Sequence, residues 1–345
     1  MIRDDGSYPD SLLNESRELV RRALLSEEEF EAVATELNRD VDLTKIALVV
    51  LQLSFESKRL VEELLNRLDL PTLVERLDAE ENIEVIRRFF SYVGQATGET
   101  VSSWVPGWLA ESMNKDVLVE KLSKAALEGV EPVYFLESVG SVNSMVAREL
   151  ALKMSWEPLI GRLSDSEDLT LLALCLRCLL GIDPLLIEEF LKKVDVEKFT
   201  RVVEKEREPR KLEDILLCVF AIRKAGVAYD FVWSVIKAAA SNLARRELKD
   251  VKLFLTRIGG NEVIRVFVQN RIENRKEIIS VLLECIGSEK LALKVNGEAN
   301  RFLVESFLRK IVRVNPILAV ELKEKVSRKY KKYLEDLLNS TETYY

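Results

Sequence analysis

Residues 57–77 read SKRLVEELLNRLDLPTLVERL, and the spacing inside this stretch decides the fold. It opens on Ser57, whose hydroxyl can accept a hydrogen bond from an orphan N–H of a helix's first turn, the N-cap role. Leu60, Leu64 and Leu68 follow at the third, seventh and eleventh positions, one apolar stripe along a three-turn helix. Twelve residues after Ser57 stands a second cap, Asp69, with Leu73 and Leu77 four and eight positions beyond it. The stretch predicts two consecutive helices, each burying one face.

The pattern returns along the chain. NSMVARELALKMSWEPLIGRL begins at Asn143, DPLLIEEFLKKVDVEKFTRVV at Asp183 and NPILAVELKEKVSRKYKKYL at Asn315, with second caps at Ser155, Asp195 and Ser327. Pro184 and Pro316 take the first helical position, where a missing N–H costs nothing. A fifth copy has caps at Ser102 and Asn114 and apolar residues Val105, Leu109, Met113, Leu118 and Leu122. The second caps are spaced by 45, 41 and 40 residues, then by 132, close to three periods. Residues 204–314 should therefore hold degenerate copies, in which Phe231, Val235 and Ala239 keep the stripe without a good cap. Another amphipathic segment lies between copies, from 43–54 to 298–313, so each unit reads as three helices.

A three-helix unit of about forty-two residues resembles the armadillo and HEAT repeats. The resemblance implies an all-α fold, a right-handed α-solenoid of about seven repeats, and a scaffold that binds partners on a concave face. The competing reading is a globular helical bundle with coincidental matches. The expected division is an N-terminal segment with capping helices at 1–41, the array at 42–338 and a flexible tail at 339–345. Within the array, 42–203 and 315–338 are clear and 204–314 degenerate.

Composition narrows the chemistry. Only 13 Gly and 8 Pro, with 32% charged residues, suit helices better than a large β protein, and high Glu and Lys beside three Gln resemble a thermophile's usage. The absence of histidine removes Ser-His-Asp and Cys-His catalysis and imidazole metal ligation. No Walker-type loop is present. Carboxylate catalysis stays open in principle, but no acidic pair stands out, and the expectation is a non-enzymatic protein without cofactor. Cys175 and Cys178 form a CxxC inside an apolar helix, unlike redox thiols at a helix N-terminus. With Cys218 and Cys285 they read as buried cysteines of a reducing cytosol, zinc being the alternative. The N-terminus shows no basic-then-apolar signal and no segment suits a membrane, so a cytoplasmic location is expected.

Two features point to partners. Residues 1–172 carry 18 Lys plus Arg against 33 Asp plus Glu, whereas residues 237–332 carry 22 against 11. In the basic part Arg245, Arg246, Lys249 and Lys252 recur at helical spacing, as do Arg309, Lys310 and Arg313, followed by Lys325, Arg328, Lys329 and Lys332. Such a patch suits nucleic-acid phosphates, an acidic protein, or the acidic end of a second copy head to tail; the plain alternative is a solvated basic face. The second feature is Trp108, at the position where sibling copies carry Glu63, Glu149, Glu189 and Glu321, with Trp104 one turn earlier. Exposed, they would anchor a protein partner; Pro106 and Gly107 could instead shift the helix start and turn both rings inward. A protein partner is the leading expectation, nucleic acid the second.

Overall fold

The computed structural model describes residues 9–40, 42–97, 104–166, 168–260 and 275–342, and among these it contains α-helices and no strand. The first two helices are α1 (Asp10–Ala23) and α2 (Glu27–Arg39). Four triplets follow: α3 (Leu43–Glu56), α4 (Lys58–Arg67) and α5 (Leu70–Ala79); α6 (Ile83–Thr97), α7 (Trp104–Ser112) and α8 (Lys115–Glu128). Then come α9 (Glu131–Val142), α10 (Ser144–Lys153) and α11 (Glu157–Ser166); α12 (Leu169–Ile182), α13 (Leu185–Leu191) and α14 (Val196–Lys205). The remaining helices are α15 (Pro209–Ala225), α16 (Tyr229–Arg245), α17 (Leu248–Gly260), α18 (Arg275–Ile286), α19 (Ser288–Gly297), α20 (Arg301–Val314), α21 (Pro316–Lys323) and α22 (Arg328–Glu342).

Seven of these helices start at side-chain caps the sequence marks. The side chains of Ser57, Asn143 and Asn315 accept from the N–H groups of Leu60, Val146 and Leu318, and Asp183 accepts from Leu185. Asp69, Asn114 and Asp195 do the same for the following helices. Every stripe residue in the five copies is buried except Leu60, which is half-buried. Removing one cap should cost a definite amount: Asp195→Ala, which deletes a 2.9 Å bond to Lys198 N, is expected to lower unfolding free energy by ~1 kcal/mol in chemical denaturation.

The structure departs from the pattern in three places. Ser155 does not cap α11: its hydroxyl donates to the Glu157 carboxylate, and the helix begins at Glu157. Ser102 lies outside the described residues. Within the degenerate stretch, α15 and α16 are unbroken helices of 17 residues each, longer than those of the clear copies. Ala238, Ala239 and Ala240 fill the middle of α16 with strong helix formers, and Asn242 turns its side chain to a neighbouring helix instead of capping. Finally, residues 339–342, expected as tail, continue α22.

The chain divides into two compact units, Met1–Leu163 with Leu174–Phe190, and Ser164–Ala173 with Leu191–Tyr345. In the first, α1 packs on α3, α3 on α6 and α6 on α9, around the fully buried Phe89, Phe90 and Phe135. Trp156 lies edge-on to Phe190 with ring centroids 5.3 Å apart, its indole N–H donating to Ala151 O. In the second, α14 packs on α16, α16 on α18, α18 on α20 and α20 on α22, around Phe254 and Phe307. No helix among the described residues is long and apolar enough to cross a membrane.

Candidate interaction surfaces

Both tryptophans singled out in the sequence face outward. Trp104 is 52% and Trp108 37% exposed, while Val105, Pro106, Leu109 and Ala110 form the buried face of α7. Pro106 and Gly107 lie within the helix and leave the stripe intact. A Cβ at Gly107 would sit 3.2 Å from Val142 O, and Gly107 O accepts from Asn143 Nδ2 at 3.2 Å. The missing side chain thus lets α7 lie close against the start of α10.

The same face continues on the neighbouring helices. Met145 follows its cap Asn143 by two residues, as Trp104 follows Ser102, and is 81% exposed; Leu185 follows Asp183 likewise and is 59% exposed. Arg148 Nε contacts Asp183 Oδ2 at 2.5 Å, tying α10 to the start of α13. Trp104, Met145 and Leu185 therefore occupy equivalent outward positions on three linked helices of the first unit, and Trp108 adds a second exposed ring one turn after Trp104. Sequence reading singled out the tryptophans but not Met145 or Leu185, although their shared distance from the cap was visible. In the second unit Ile317 holds the corresponding position and is 77% exposed.

The basic candidates are not one patch of free charges. Asn242, Arg245 and Arg246 point at the end of α14: Arg245 donates to Glu204 O at 2.7 Å and Arg246 to Glu206 O at 2.6 Å. Burial holds the Arg246 guanidinium below its ordinary pKa. These residues line a 730 Å³ cavity with Glu204, Glu206 and Asp250. Arg309 donates to Tyr333 Oη at 3.1 Å, and Lys325 to Ser288 Oγ at 2.8 Å. The Lys329 ammonium lies 5.2 Å from the Tyr330 ring centroid. Lys249, Arg313, Arg328 and Lys332 are exposed, whereas Lys252 and Lys310 are half-buried.

Arg246 belongs to a recurring device the sequence reading missed. A helix ends with carbonyl groups lacking intrahelical donors and with partial negative charge, which a cation can satisfy. Arg76 covers the end of α2, donating to Asn38 O at 2.5 Å. Lys121 covers α5, with bonds of 2.6 and 2.7 Å to Asp78 O and Glu80 O, and Arg162 covers α8 through Leu127 O at 2.8 Å. In the second unit Lys198 reaches Ser164 O, and Lys294 reaches Arg246 O just beyond α16. The signal was available in LVERL, LVEKL and LIGRL at 73–77, 118–122 and 159–163, where a base precedes the last leucine each time. Lys121→Met should lower stability by ~1–2 kcal/mol, because two carbonyls lose a charged donor; urea denaturation measures it, and Lys121→Arg should retain most of it.

Two of the four thiols are buried as expected, whereas Cys218 and Cys285 are half-buried. Cys175 and Cys178 are buried, and burial pushes the Cys175 thiol up to about 12 and Cys178 well above the usual thiol range. Cys178 donates to Val133 O and Cys218 to Ala173 O, both at 3.2 Å. Among the described residues no group of three or more Cys, Asp and Glu is placed to hold a metal ion.

No protein-family model and no curated protein matches the chain.

Proposed function

We propose that this chain is a non-enzymatic scaffold of the armadillo and HEAT type, an α-solenoid of about seven helical repeats that binds a protein partner. One observation carries the reading: Trp104, Met145 and Leu185 are exposed at matching positions on α7, α10 and α13, with Trp108 exposed one turn after Trp104. Large aromatic side chains left in water on a solid helical face cost solvation in the free protein and repay it in a complex. Residues 1–172 carry 33 acidic against 18 basic side chains, so the partner that fits is basic with apolar anchors of its own. The armadillo and HEAT assignment draws further support from the cap spacing and from cations that span one unit to reach the preceding helix end.

The test is site-specific photo-crosslinking from position 108 in living cells. Capture of a single partner through a basic, apolar segment supports the reading, and the affinity of that partner for variants in the row decides it. A second reading, nucleic-acid binding by residues 237–332, draws on the excess of 22 basic over 11 acidic residues there. An electrophoretic shift that weakens steeply with salt would support it.

A further inference from the structure

The apolar row on the first unit sets a requirement that the second unit of the same chain meets. Beside Trp104, Trp108, Met145 and Leu185 stand Glu111 on α7 and Glu188 and Glu189 on α13, all exposed. Leu152, two turns after Met145 on α10, is exposed as well. A surface that covers this row must bring apolar side chains to the rings and positive charge to the carboxylates.

In the second unit, α21 buries Leu318, Ala319 and Leu322 and packs on α19, α20 and α22. Ile317 and Val320, three residues apart and so neighbours on one helix face, are left exposed. Residues 313–332 run from the end of α20 through α21 into the start of α22 and carry seven basic side chains against two acidic. Arg313, Lys325, Arg328, Lys329 and Lys332 are exposed. One of the two acids, Glu324, is already paired, with Lys323 at 3.6 Å and Lys331 at 2.7 Å. This face combines two apolar anchors with an excess of cations, the complement of an apolar row among carboxylates.

Charge decides how two copies meet. Row against row sets carboxylates against carboxylates, and α21 against α21 sets cations against cations, so both pairings are repulsive at low ionic strength. Row against α21 joins unlike charges and removes apolar surface from water on both sides. We propose that the row on α7, α10 and α13 binds the α21 face of a second copy of this chain, so that copies join head to tail. The inference rests on the reading of the row as a protein-docking face and names its occupant. A contact between two different faces leaves one face of each kind open, and assembly stops only where the copies close on themselves.

The experiment takes the full chain and the single variants Trp108→Asp and Ile317→Asp through sedimentation velocity at low salt, from ~1 µM to ~0.5 mM protein. The wild type should associate, and the association should weaken as salt is added. Each variant alone should associate at least ~100-fold more weakly, since each has lost one of the two faces. Mixed in equal amounts, the variants should form a one-to-one complex, because Trp108→Asp keeps its α21 face and Ile317→Asp keeps its row. Recovery on mixing also shows that both variants are folded, and circular dichroism melting checks each one separately.

Loss of association in Trp108→Asp alone means row on row, and loss in Ile317→Asp alone means α21 on α21; either result overturns the head-to-tail contact. Two folded variants that fail to recover on mixing overturn it as well. Association that disappears on nuclease treatment belongs to a bridging nucleic acid and overturns it too. A wild type that stays monomeric over the whole range overturns the second copy as occupant, while capture of a different protein from position 108 would then still uphold the row as a docking face.

Discussion

Asn242→Ala is expected to cost about 3 kcal/mol of stability in the second unit, because one side chain closes three hydrogen bonds, one of them fully buried. Asn242 is 4% exposed on α16, and its amide nitrogen donates to Val203 O at 2.9 Å and Glu206 O at 2.7 Å. Its oxygen accepts from Arg246 Nε at 2.7 Å, which aims the guanidinium at Glu206 O. Alanine strands the Val203 carbonyl and removes the group that aims Arg246 at Glu206 O. Asn242→Asp tests the direction of the bonds, since a carboxylate would face two carbonyl oxygens and lose both donors; it should be at least as damaging as alanine. Native-state hydrogen exchange should localise the loss to the amides of α14 and α16, with those of α3 and α6 in the other unit unchanged. A uniform small loss across the chain would show that Asn242 does not hold this contact.

Asn242 also marks where sequence reading stops working. Caps at Ser57, Asp69, Asn114, Asn143, Asp195 and Asn315 were legible because donor and acceptor lie two or three residues apart. The apolar stripes were legible for the same reason, as helical period is a local property. Ser155 failed through local competition, since Glu157 offers its hydroxyl a charged acceptor two residues away. Asn242 failed through distant competition: a capping residue type in a long helix, its amide is drawn to carbonyls on another helix. The basic residues of α16 misled in the same way, because their charge shows in the sequence while the helix end they cover does not.

Replacing Trp104 and Trp108 together by alanine should weaken binding of the proposed protein partner at least ~100-fold, since central aromatic anchors typically contribute 2–4 kcal/mol each. Stability should change by less than ~1 kcal/mol, because both rings are exposed beside the buried face formed by Val105 and Leu109. Leu109→Ala reverses the pattern. It empties a fully buried site on the same helix, costing 2–5 kcal/mol of stability by the usual cavity cost, while leaving the affinity of folded molecules unchanged. Met145→Ala and Leu185→Ala should give intermediate losses, graded by distance from the tryptophans. Titration calorimetry in the presence of salt separates two contributions: apolar anchoring persists at high ionic strength, whereas attraction between a basic partner and the acidic first unit fades. Binding that survives the double substitution but collapses in salt would place the partner on the acidic surface alone and dismiss the apolar row.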